Sequence, residues 1–176
     1  ARQGLLAARL IWPGLLAVVL YTYVPYLVAV PMGPQFLGHL AVVVVSAYAV
    51  VAASAGLDVE AIAGRLRGRF PARATGGMLT LMGVGFLVRN VVVILGATDS
   101  PSGIERGVWI ADGLLLPAFI GGGLLLMGQR AAGLVAATPV LFVASVLFVE
   151  LVPVLAYPAV YDGGPIPWFD VLFVLA

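Results

Sequence analysis

Cysteine and lysine are missing from the 176 residues, and histidine occurs once, at His39. Without cysteine the chain has no disulfide, thiolate metal site or iron–sulfur cluster of its own. Without lysine it has no amine for a retinal or pyridoxal Schiff base. A single histidine does not make the paired-histidine ligation of a membrane cytochrome. HExxH, a glycine-rich phosphate loop and G-x-S-x-G are also missing, so neither a cofactor nor a catalytic residue is expected. Charge is scarce as well, at 10% of residues against roughly a quarter in soluble domains. The nine basic residues are all arginines, spread along a chain of net charge +1. They form no basic face for nucleic acid.

What remains is apolar. Hydrophobic residues make up 62% of the chain, with a mean hydropathy of +1.14. A soluble core of this size could not hide so many apolar side chains, because surface shrinks too slowly with mass. A transmembrane helix needs about 20 apolar residues. Runs of that order span residues 11–30, 36–56, 77–96, 108–128 and 133–157, and a shorter one covers 167–176. Nothing alternates polar and apolar as barrel strands do. The expected fold is all-α: a polytopic integral membrane helical bundle of about six transmembrane helices with short loops, forming one domain. The chain opens on Ala1 and its last run is half a span, so we expect the natural chain to be processed and to continue.

Arginines orient the spans. Arg2, Arg9, Arg65, Arg67, Arg69, Arg73 and Arg130 fall on one set of connections, and Arg106 alone on the other. Positive residues favour the cytoplasmic face, so a plasma-membrane protein with a cytoplasmic amino terminus is expected. Within residues 58–70, Val59, Ile62, Ala63, Leu66 and Phe70 share a helical stripe flanked by arginines. Asp58 suits an N-cap, and Pro71 suits the end of the run. This segment reads as an amphipathic helix on the inner membrane surface, either a linker or a docking face. Ala118 and Gly122 form a small-xxx-small pair where a neighbouring helix could approach closely.

Polar residues gather toward the ends of the spans away from the arginines. Glu150 interrupts "VASVLFVELVPVLAYP", Arg89 and Asn90 interrupt "GVGFLVRNVVV", and Asp112 lies early in its run. His39, Tyr21, Tyr23 and Tyr26 fall in the same half. Ionisable groups within a span are costly facing lipid, so they turn inward and pair. Arg89 and Glu150 match in sign and depth, which predicts contact between them. In a rival arrangement Asp112 takes Arg89 and leaves Glu150 facing a cavity. Arg89, Glu150, Asp112, Asn90, His39, Tyr23 and Tyr26 are therefore the candidate polar cluster. It reads either as a structural ion pair or as a polar cavity for a small solute, a lipid headgroup or a quinone-like molecule.

The segments "ADGLLLPAFIGGGLLLMGQRAAGLVAA" and "LYTYVPYLVAVPMGPQFLGHLAVVVVSAYAVV" resemble a group of uncharacterised prokaryotic multi-pass membrane proteins. In these an aspartate opens a helix, a proline follows five residues on, and glycines and an arginine precede the next span. Asp112, Pro117, Gly121, Gly122 and Arg130 are the matching positions. The resemblance carries no activity, and His39 departs from it. The leading expectation is a non-catalytic accessory or interaction subunit, with the bilayer and a partner subunit or a second copy as its contacts. The alternative is a component that binds or transports a small solute or lipid.

Overall fold

The computed structural model describes residues 2–161. Six helices follow one another: α1 (Arg2–Ala29), α2 (Pro34–Ala55), α3 (Val59–Leu66), α4 (Ala72–Gly96), α5 (Gly103–Met127) and α6 (Ala131–Tyr161), with no strand among the described residues. All but α3 are long and apolar enough to cross a membrane. The protein is an α-helical bundle of the multi-pass membrane class. The expected run at 167–176 lies outside the described residues.

Local chemistry sets several helix ends. Pro34 starts α2, where the missing N–H costs nothing because the first helical N–H groups have no intrahelical acceptor. The Asp58 carboxylate accepts from the Ala61 N–H at 3.1 Å and caps α3. A capping box opens α5: Ser102 Oγ accepts from the Glu105 N–H, and the Ser102 N–H donates to Glu105 Oε2 at 2.7 Å. Pro71 plays a part other than the expected one. Helix α3 already ends at Leu66, Gly68 turns the chain with φ +74, and Pro71 is the N-cap of α4.

The bundle has two centres of packing. At the arginine-rich end, Ile62 and Ala63 of α3 are buried with Leu10 of α1, Ala72 and Leu79 of α4, Leu126 of α5 and Leu134 of α6. Val59, Leu66 and Phe70 join them. The apolar stripe of 58–70 thus meets protein, where the sequence suggested the membrane surface. Ile62 and Ala63 are buried and Val59, Leu66 and Phe70 partly so, and packing on the bundle removes that apolar surface from water. The second cluster, near mid-bundle, joins Val18, Phe119, Val143 and Ala144.

Helix α1 touches α2, α5 and α6, while α5 touches α1, α4 and α6. Among the described residues α2 touches only α1, and α4 barely reaches α6. The close approach of α4 and α5 comes from Gly76 and Gly123, where a β-carbon on Gly123 would stand 2.6 Å from the Gly76 carbonyl oxygen. The Ala118–Gly122 pair does not play this part. Ala118 faces outward, and Gly122 has only a Val140 methyl at 3.8 Å. One residue of rotation, about 100° on the helix, separates the pair from the true seam.

Candidate functional site

Two backbone seams converge on Asp112. Along the first, Gly103 of α5 meets Ala29 of α1, and one turn on Gly107 meets the backbone of Pro25. Continuing in the same antiparallel register brings Asp112 beside Tyr21, whose hydroxyl donates to Asp112 Oδ1 at 2.8 Å. Along the second, Gly123 meets Gly76 and Gly83 meets Phe119 and Ile120. That register brings Asp112 beside Asn90 of α4, whose amide donates to Asp112 Oδ2 at 2.7 Å. Both carboxylate oxygens are therefore held, each by a different helix. The three residues sit about 9–14 Å from the nearest helix ends at 1.5 Å per residue. At that depth an unpaired polar group is expensive, and paired donors and acceptors fix helix register.

Beside this junction α4 and α6 stand apart, and a cavity of about 300 Å3 lies between α1, α4, α5 and α6. Tyr21 and Asp112 line one wall, Arg89 of α4 and Glu150 of α6 also line it, and the remaining lining is apolar, including Phe86, Leu115, Phe119 and Phe148. The Phe86 and Phe148 rings approach to 6.1 Å between centroids. Arg89 and Glu150 are exposed, so they stand where the cavity opens from the bundle.

The expected Arg89–Glu150 contact is not present. Among the described residues neither side chain has an ion pair within 4.0 Å or a hydrogen bond. The rival pairing of Arg89 with Asp112 is not present either among the described residues: the Asp112 oxygens accept from Tyr21 and Asn90. Depth matching overlooked rotation: Arg89 is exposed, whereas its neighbour Asn90 is 6% exposed and takes the inward position.

The candidate cluster divides into two groups. Arg89, Asn90, Asp112 and Glu150 gather at or around the cavity. His39, Tyr23 and Tyr26 form a separate aromatic group between α1 and α2. The imidazole stacks on Tyr26 at 5.8 Å and 20°, and lies 5.7 Å from the Tyr23 ring. His39 Nδ1 is buried there with no hydrogen-bond partner among the described residues. These rings do not line the cavity.

Tyr21 was missed as a site residue. The signal was there: it is the tyrosine farthest from the end of α1, too deep for an interfacial belt, and a hydroxyl at that depth needs a partner. The phenylalanines of the cavity wall had no such signal, since apolar lining and apolar core look alike in sequence.

No family model, no curated protein and no solved structure matches the chain. The fold and the cavity together define a multi-pass α-helical membrane protein with charged groups around a cavity that opens from the bundle.

Proposed function

We propose that the protein is a non-catalytic, membrane-embedded binding component whose cavity takes up a small amphiphile, either a lipid or a membrane-partitioned solute. One observation carries this reading: Arg89, Asp112 and Glu150 line a single 300 Å3 space whose other walls are apolar. Ligand sites combine apolar walls with a few placed polar groups in this way, and about 300 Å3 is the lower end of their usual volume. Opposite charges that stand at the mouth of one apolar cavity without neutralising each other favour a functional role over a purely structural one.

The test fills the cavity. Val108 is half-buried in its wall, and Val108→Phe should lower retention of whichever of a fluorescent fatty acid, fatty amine or lysophosphatidylethanolamine the unaltered protein holds best by at least about tenfold at unchanged thermal stability. Equal retention by both proteins would defeat the reading.

A second reading, an accessory subunit of a membrane complex or of a homo-oligomer, draws on α2. Its span is 6% buried, against 33% for α6, and among the described residues it touches α1 alone. Co-purification of a stoichiometric partner that is lost when the exposed Val45 and Tyr48 are changed to alanine favours this reading.

The location proposed is the cell membrane with a cytoplasmic amino terminus, which accords with the likeness to prokaryotic multi-pass proteins and rests on the arginine distribution. Arg67→Cys and Ser102→Cys, probed on intact cells with an impermeant thiol reagent, should label at 102 only. Labelling at 67 only would invert the orientation.

A further inference from the structure

Arg89 and Glu150 are opposite charges at one cavity, on helices that stand apart, and neither has a partner among the described residues. Both are exposed at the mouth of the cavity, where a charge beside apolar surface gains by finding a partner. Their separation leaves one cationic and one anionic position open beside an apolar wall. Asp112 is engaged by one donor on each oxygen, from Tyr21 and Asn90, whereas Glu150 has none among the described residues, so Glu150 is the carboxylate more open to a ligand.

Resting on the cavity-binding reading above, we propose that the ligand is a zwitterion with an apolar body. Its anionic group, a phosphate or carboxylate, meets the Arg89 guanidinium, and its ammonium meets the Glu150 carboxylate. A guanidinium presents paired donors that match two oxygens of a phosphate or carboxylate. A carboxylate is acceptor-only, and so takes the N–H groups of an ammonium. The apolar body lies along Leu115, Phe119 and Phe148. A purely anionic amphiphile would leave Glu150 facing its charge, and a purely cationic one would do the same at Arg89. Selectivity therefore comes from repulsion as well as attraction.

The same chemistry has two sources: the headgroup of a phosphatidylethanolamine, or a free zwitterion such as leucine. The full chain is reconstituted in nanodiscs of equal phosphatidylethanolamine and phosphatidylglycerol, and lipid retained at one per protein is read by native mass spectrometry. Phosphatidylethanolamine retained at least about tenfold over phosphatidylglycerol supports the lipid source. Displacement of that lipid by millimolar leucine, or a rise in melting temperature with leucine but not with acetate or butylamine, supports the free source. In either case Glu150→Gln should shift preference toward the anionic probe and Arg89→Gln toward the cationic one, a reversal that loss of structure would not give. Preferential retention of phosphatidylglycerol by the unaltered protein would overturn the zwitterion while leaving cavity binding intact. Retention of no probe at all would overturn both.

Discussion

The two halves of the bundle are built from the same apolar helices, yet one is closed and the other is open. At the arginine-rich end, α3 seals the helix ends and Gly76 lets α4 lie directly on Gly123 of α5. Large fully buried side chains occur there, Leu79, Leu126 and Leu134 among them. In the opposite half a cavity lies beside the core, the Phe86 and Phe148 rings of α4 and α6 approach each other in its wall, and the polar groups gather round it. The difference lies in which helices are held. In the closed half Gly14 meets the Pro139 backbone and Gly133 the backbone of Leu125 and Leu126, which brings α6 onto α1 and α5. In the open half Gly103 and Gly107 bring α5 onto α1, and the Tyr21–Asp112–Asn90 junction adds α4 through one carboxylate.

The sharpest way to break this contrast is to force the closed half apart. Gly123→Leu places a branched side chain against Thr80 and the Gly76 backbone, which cannot yield as a side-chain tip would. Overpacking commonly costs about 1–3 kcal/mol, and here the loss should reach or exceed the top of that range. Monodisperse yield and melting temperature should both collapse. Gly113→Ala, where nothing lies within 4 Å of an added β-carbon, should leave both near their starting values.

Next in size is the junction. Asp112→Ala strands the Tyr21 hydroxyl and the Asn90 amide, and each buried donor left unpaired costs about 1–3 kcal/mol. Chemical or thermal unfolding in detergent should show a loss of about 2–4 kcal/mol. Asp112→Asn keeps one acceptor and should lose less. An unchanged melting temperature for Asp112→Ala would mean that the open half is held by something else.

The smallest effect belongs to the cavity charges. Glu150→Gln and Arg89→Gln break no contact, so in lipid-free detergent each should shift stability by about 0.5 kcal/mol or less. A loss of about 3–5 kcal/mol from either would instead signal a buried ion pair. In that event α4 and α6 meet, and the space between them is closed.

Much of this contrast was legible from residue types and little of it from their rotation. The apolar runs located the helices, because a span must satisfy its own backbone hydrogen bonds and be about 20 residues long. The concentration of Asp112, Asn90, Arg89 and Glu150 toward one end was visible too. The partners were not. Adjacent residues on a helix differ by about 100°, so Asn90 rather than Arg89 turns to Asp112, and Gly123 rather than Gly122 forms the seam. Such choices depend on how three helices cross, which no single run of sequence encodes. The stripe at Val59, Ile62 and Leu66 was readable as amphipathic, but an apolar face looks the same whether lipid or protein covers it.

The most direct test of the open half is an experimental map of the protein in a lipid nanodisc, read between α4 and α6. Elongated density is expected in the space between Arg89, Asp112 and Glu150, with Tyr21 and Asn90 both on the Asp112 carboxylate. A map in which α4 and α6 close on each other, with the Arg89 guanidinium seated on Glu150 and no cavity between them, would contradict the open half and the binding site built on it.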